Sequence, residues 1–195
     1  MKTKFSEYIE SQKNRTATFV FGRFQPPTIG HERLFTEALA ASDSASDLFI
    51  FGSNSHDSKK NPLLVESKLM HMRMMFPMYY GNIIIREDIN NFLEAATWLN
   101  EKGYSKLRMF AGSDRAKEFK MKLNKYNQDL YEFNSIDVQS VVRDNSTDHF
   151  IESVNATYAR NCAAVDDLEN FKKCLPEGYM KTQELFEEVK RGLKK

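Results

Sequence analysis

A chain of 195 residues, 41% hydrophobic and 28% charged, is long enough for one well-cored domain and ordinary in composition for a soluble globular protein. Its formal net charge of +1 leaves no broad basic footprint and argues against a nucleic-acid partner; the basic cluster Lys190, Arg191, Lys194 and Lys195 reads as a solvated helix end. Two cysteines without a CxxC pair, no signal-peptide pattern and no apolar run near the roughly 20 residues of a membrane span predict a cytoplasmic protein with reduced, packed thiols and no membrane partner.

The first fifteen residues are polar, anchored only by Phe5, Tyr8 and Ile9, and read as an N-terminal arm. Thr16 to Phe21 is β-branched and aromatic and is bounded by Gly22, the pattern of a buried strand. After a loop holding Pro26 and Pro27, Leu34, Phe35, Ala38 and Leu39 recur at helical spacing and predict a helix over about 30–41. The alternation repeats: strand 47–51 closed by Gly52, polar loop 53–61, then a helix from Pro62 through Met75. Leu64, Met70 and Met74 are among that helix's expected inward residues. Strand 83–85, helix 92–99 and strand 107–111, closed by Gly112, follow. Asp114 stands where a helix cap belongs, ahead of a helix to about Asn127, and 136–142 is a fifth strand. Helices alone follow Thr147. The expected fold is α/β and Rossmann-like, a mainly parallel five-stranded sheet flanked by helices, with a helical C-terminal tail over 157–195. All of it belongs to a single domain, 1–195.

In such a sheet ligands bind beyond the C-terminal strand ends, where the first strand delivers Gly22-Arg-Phe-Gln-Pro-Pro-Thr-Ile-Gly-His31. Gly22 would let the backbone approach a ligand closely, and the two prolines stiffen the loop. Gly30 and His31 open a helix whose N–H groups and positive end can meet phosphate. Thr28, His31 and Arg23 can add side-chain hydrogen bonds. Taken alone, T-x-G-H reads as a strand–turn–helix connection whose histidine caps or packs. The motifs G-x-x-x-x-G-K-[ST] and G-x-G-x-x-G are both absent.

The whole string GRFQPPTIGH resembles the first signature of the nucleotidyltransferase superfamily with H-x-G-H or T-x-G-H motifs. That group includes nicotinamide mononucleotide and phosphopantetheine adenylyltransferases and cytidylyltransferases. GRFQP is especially like the archaeal nicotinamide mononucleotide enzymes, with Thr28 in place of their first histidine, as in the phosphopantetheine branch. Lys60-Asn-Pro62, followed by Glu66 and Lys68, is similar to their K-N-P-F-T-x-x-E-R segment. Ala111-Gly-Ser-Asp-Arg115 is similar to the superfamily's G-x-D segment, and Asn155-Ala-Thr-Tyr-Ala-Arg160 to its S-x-T-x-x-R signature, with Asn155 in place of the usual serine. The stretch from Asp166 to Pro176 looks like the tail of members encoded by large tailed phages, which would place the protein in a host cytoplasm.

The resemblance implies in-line attack of an acceptor phosphate on the α-phosphorus of ATP or another NTP, with pyrophosphate leaving and Mg²⁺ bridging phosphate oxygens. Thr28, His31, Lys60 and Arg160 would be the catalytic set. Gly22, Arg23, Phe24, Gly30, Gly112, Asp114, Asn155 and Thr157 would join His31 and Arg160 in holding nucleotide, and Arg115 would meet the acceptor. Nicotinamide mononucleotide is the leading acceptor, which makes NAD the product. Phosphopantetheine, cytidylyl transfer, and a nucleotide-binding module without turnover are the alternatives. His56 reads as solvated, His71 as a packing residue, and His149 as a further site candidate. The helix from Leu64 to Phe76 offers a face for a homo-oligomer.

Overall fold

A computed structural model describes residues 14–141 and 155–194. Residues 1–13 of the expected arm (1–15), Val142, His149 and Lys195 lie outside the described residues. In chain order the elements are β1 (Thr16–Gly22), α1 (Ile29–Ala40), β2 (Ser46–Gly52), α2 (Val65–Met75), a 3₁₀ turn (Pro77–Tyr79), β3 (Ile83–Ile85) and α3 (Phe92–Glu101). They continue with β4 (Lys106–Gly112), α4 (Ser113–Lys125), β5 (Ser135–Val141), α5 (Ala156–Ala164), α6 (Leu168–Lys172) and α7 (Thr182–Leu193).

The five strands form one parallel sheet in the order β3-β2-β1-β4-β5. The chain builds outward from β1 through β2 to β3, then returns to lay β4 on the other side of β1. That reversal opens a crevice between β1 and β4 at their C-terminal ends, the usual ligand position in an open α/β sheet.

Period-two alternation gives each face of the sheet its own core. On one face Ala17, Phe19, Leu107 and Met109 pack with Phe92 and Leu99 of α3 and Phe119 and Leu123 of α4. On the other, Val20, Leu48, Ile50 and Phe110 meet Phe35 of α1, Met72 and Met75 of α2, and the C-terminal helices. Those helices do not trail from the domain. Ala159, Cys162, Phe171, Cys174, Leu185, Phe186 and Val189 are buried in the same cluster as α1 and α2, and full burial of each large apolar side chain stabilises by about 1.5–3 kcal/mol. Both cysteines are buried and unbridged; burial pushes the Cys174 thiol up to about 12.

Two local expectations are corrected. Helix α2 turns Lys68, His71, Met72 and Met75 inward, whereas Leu64 and Met74 are exposed and Met70 is only partly covered. In a helix where apolar residues surround the axis, periodicity does not select a face. Asp114 is not the cap of α4: Gly112 holds the cap position and Asp114 sits in the first turn, where a carboxylate favours the positive helix end.

Helix α7 is tied to α2 by His71, whose ring is fully buried. His71 Nε2 lies 3.1 Å from Glu188 Oε2, its Nδ1 meets the Tyr179 hydroxyl, and Ser67 also donates to Glu188. Burial is the main influence on the imidazole and holds its pKa below the ordinary value, against the opposing pull of Glu188. Near its C-terminus α7 touches Pro62 so closely that a Cβ on Gly192 would lie 2.1 Å from the Pro62 carbonyl oxygen. Gly192→Ala is therefore expected to destabilise the protein by about 1–3 kcal/mol through overpacking. Urea melts of the two proteins check this, and coincident midpoints would contradict it.

Candidate active site

Beyond the C-terminal ends of β1 and β4 the loops surround an open cleft of about 820 Å³. Its walls come from Arg23, Phe24 and Gln25 after β1, His31 in the first turn of α1, Asp114 in the first turn of α4, and residues 155–158, 160 and 161 at the start of α5. Segments distant in sequence thus meet at the topological switch point. Arg23 and Arg160 make the lining cationic, with Asp114 as its one carboxylate among the described residues.

The placement of His31 follows from local chemistry. Thr28 caps α1 in an extended conformation and is fully buried. Its backbone N–H donates to His31 Nδ1 at 3.0 Å, and its hydroxyl lies 3.0 Å from the same nitrogen. An Nδ1 that accepts a main-chain N–H carries no proton in the neutral ring, so the hydrogen resides on Nε2 and the ring can donate there. The ring's flank is held by Phe24, edge-on at 4.9 Å, and Phe24 in turn meets Phe35 at 5.6 Å. Phe24 adopts φ 49°, unusual for a residue with a Cβ, and is 2% exposed. It supports His31 more than it offers a surface.

Gly22 makes that support possible. A Cβ there would lie 2.6 Å from Phe24 Cζ, so the missing side chain gives room to the Phe24 ring rather than to a ligand. Of the N–H groups opening α1, those of Thr28, Ile29 and His31 are bonded within the chain, Ile29 to the Cys174 carbonyl at 2.9 Å. Gly30 occupies the second position of α1 and is half-buried. Thr28 is therefore bonded to His31 and is not part of the cleft lining.

Elsewhere on the lining Asn155 caps α5, accepting from the N–H groups of Thr157 (2.9 Å) and Tyr158 (3.0 Å). The cap thus takes up the Thr157 N–H within the helix start. The Thr157 hydroxyl remains, held by Arg160 Nη2 at 3.1 Å. Arg160 Nη1 also donates to the Gln25 carbonyl at 2.7 Å, joining α5 to the β1–α1 loop. Burial, then the neighbouring Arg23 cation, lowers the Arg160 pKa, while Asp57 opposes them. A guanidinium keeps its charge under such pressure, and an anion in the cleft would relieve it.

Three other expected residues sit apart from the lining. Lys60 is exposed on a loop folded around Asp57, which accepts from the N–H groups of Lys59 (2.9 Å) and Lys60 (2.7 Å) and from the Asn61 amide. These bonds hold the Asp57 carboxyl well below the usual range. Gly112 precedes Asp114, and a Cβ on it would meet Asp114 Oδ1 at 2.8 Å. Arg115 is exposed, paired with Glu118 at 3.2 Å and laid over the Phe119 ring. His56 borders a smaller cavity beside Pro62 and α7.

A single carboxylate on the lining fits a magnesium ion carried mainly by phosphate oxygens and water, not a protein-built cage. Among the described residues, the group with ligand spacing is His71, Glu184 and Glu188, on α2 and α7. Its members are already bonded to Tyr179, Lys181 and Ser67 respectively.

Two buried polar residues lie inside the motif segments named above but were given no role by the sequence. Gln25, 1% exposed, stitches the loops together: its Nε2 donates to the carbonyls of Ser55 (3.1 Å) and Leu63 (3.0 Å), and its Oε1 accepts from the Leu63 N–H at 2.9 Å. Lys68 is fully buried, and its Nζ donates to the Arg23 carbonyl at 3.1 Å and to the Ser53 carbonyl. Burial lowers its pKa from 10.5 to about 8. Between those values the unfolded chain holds more proton than the folded one, so this group's contribution to stability rises with pH through that window. The stability of the protein relative to Lys68→Met should accordingly increase from pH 8 to pH 10, as urea melts at the two pH values would measure.

Among solved structures, the chain is similar to a protein assigned as a nicotinate-nucleotide adenylyltransferase from Vibrio parahaemolyticus, at 12% identity and a TM-score of 0.56, over 88% of this chain and 98% of that one. It is also similar to a bifunctional NMN adenylyltransferase/ADP ribose pyrophosphatase from Francisella tularensis, at 16% identity and a TM-score of 0.55. The chain has the fold of these adenylyltransferases. That match covers 91% of this chain and 52% of the bifunctional protein, so the adenylyltransferase fold here spans about half of that protein's length. No family model matches the chain, and no curated protein does.

Proposed function

We propose that this chain is a nucleotidyltransferase that moves AMP from ATP onto a phosphorylated acceptor, nicotinamide mononucleotide first among the candidates, and releases pyrophosphate. The observation that carries the reading is the meeting of the T-x-G-H histidine with the Thr157–Arg160 pair across one cationic cleft at the switch point. Neighbours of the same fold named for nicotinate-nucleotide and NMN adenylyl transfer agree with it.

In this reading an acceptor phosphate oxygen attacks the α-phosphorus, the bond to the β-phosphate bridging oxygen breaks, and that oxygen leaves with pyrophosphate. An acceptor phosphate is already ionised near neutral pH, so no protein base or nucleophile is required. His31 donates from Nε2 to the α-phosphate, where charge builds in the transition state. The Thr157 hydroxyl and Arg160 hold the departing pyrophosphate, and Arg23 adds charge at the same end. Lys60 reaches in from its exposed loop when nucleotide is present. Asp114, the cleft's one carboxylate among the described residues, would hold the water shell of a magnesium ion, which would supply neutralisation of phosphate charge. The reaction belongs in a cytoplasm supplied with ATP.

The buried position of Thr28 removes it as a guide to the acceptor, since it meets the ligand only through His31. The test is pyrophosphate release with Mg²⁺, each of the four NTPs, and nicotinamide mononucleotide, nicotinate mononucleotide, phosphopantetheine, FMN or glycerol 3-phosphate. Acceptor-dependent release with ATP and nicotinamide mononucleotide is expected. Release with a different pair would reassign the substrate, and NTP binding without release for any pair would make the chain a binding module.

A further inference from the structure

A fully buried ammonium is an expensive choice at a position where α2 elsewhere uses methionine. Lys68 is 0% exposed, with Met72 and Met75 on the same inward face, and among the described residues no carboxylate pairs with it. An apolar side chain would satisfy packing at lower desolvation cost, so the fold by itself does not call for a cation here.

What the ammonium does reach is informative. Its two acceptors are the carbonyls of Arg23 and Ser53, the residues immediately after β1 and β2. These strands are adjacent, and Ser53 also donates its N–H to the Gly22 carbonyl at 2.9 Å. Two residues beyond Arg23, Gln25 binds Ser55 and Leu63 through its side chain and Arg160 through its carbonyl. Lys68 therefore sits beneath a single hydrogen-bonded unit made of the loops after β1 and β2. That unit presents Arg23, Phe24 and Gln25 to the cleft and bears on Arg160.

We propose that Lys68 is a positioning residue for the cleft: its buried ammonium locks the loops after β1 and β2 together and so fixes Arg23, Phe24 and, through Phe24, His31. The role in catalysis rests on the nucleotidyltransferase reading, whereas the locking of the loops does not. A fixed positive charge under a phosphate-binding wall also adds to the field of Arg23 and Arg160 without contacting ligand.

The experiment compares the protein with Lys68→Met, Lys68→Gln and Lys68→Arg by amide hydrogen exchange, thermal melting and pyrophosphate-release kinetics. The expected result is that Lys68→Met melts no lower than the parent, while amides of 22–31 and 53–57 exchange at least about 10-fold faster and those of β4 do not change. Turnover should fall by up to about 10²-fold, the scale of a misplaced reacting group, with a smaller change in KM for ATP. Lys68→Arg, which keeps charge and donors, should recover loop protection relative to Lys68→Gln. Unchanged loop exchange in both neutral variants would overturn the proposal. So would failure of both neutral variants to fold, because Lys68 would then be a determinant of the fold. If the parent transfers no nucleotide, the functional reading falls while the exchange data still decide whether Lys68 locks the loops.

Discussion

His31→Ala is expected to lower kcat by about 10²–10³, the usual loss for one donor aimed at developing transition-state charge, with ATP affinity changed far less. The geometry explains the asymmetry. His31 Nδ1 is occupied by the Thr28 N–H at 3.0 Å, which leaves the proton on Nε2 and makes the neutral ring a preset donor. The ring is held by Phe24 at its flank, so little reorganisation is needed when charge appears. Thr28→Val supplies the internal comparison: it removes the hydroxyl but keeps the main-chain N–H that fixes the tautomer, so its loss of kcat should be smaller than that of His31→Ala. Steady-state pyrophosphate release with thermal melts of each variant checks both. Near-normal turnover of His31→Ala would end the assignment of His31, and Thr28→Val matching it would mean that the hydroxyl itself orients the ring.

Much of this architecture was legible in the sequence because strands buried on both faces are written as short β-branched and aromatic runs. Thr16–Phe21 and Asp47–Phe51 are of that kind and became β1 and β2, while Leu107–Ala111, a largely apolar run also closed by glycine, became β4. The T-x-G-H and T-x-x-R residues were legible because they lie within a few positions of a strand end or a helix start. The support beneath them was not. Lys68 and Gln25 act on carbonyls and N–H groups 45, 15, 30 and 38 residues away, and no local pattern encodes such pairs. A lysine on a helix reads as solvated, and the Met-rich periphery of α2 offered the wrong face. Gly22 shows the same limit: its need for a missing Cβ was readable, but the partner filling that space, Phe24, depends on a left-handed backbone two residues on.

Arg160→Ala should weaken triphosphate binding by about 10–150-fold, the equivalent of the 1.5–3 kcal/mol that a charged hydrogen-bonding group contributes, and weaken AMP binding much less. Arg160 touches the Thr157 hydroxyl and the Gln25 carbonyl, at 3.1 and 2.7 Å, so its loss can act on ligand in two ways. In the proposed reaction a direct role falls on the β- and γ-phosphates, because Arg160 lines the same cleft as His31 and His31 is assigned to the α-phosphate. An indirect role through Gln25 would disturb the loop that carries Arg23 and Phe24, and would penalise ATP and AMP alike. Titrating both nucleotides against the parent, Arg160→Ala and Arg160→Lys separates the two. Arg160→Lys keeps a charge but cannot hold Gln25 and Thr157 with one planar fork. An ATP-selective loss in Arg160→Ala, partly restored in Arg160→Lys, is the expected result. Equal loss for both nucleotides would move Arg160 from reading pyrophosphate to bracing the loop after β1, and would leave Thr157 and Arg23 as the groups that hold the departing charge.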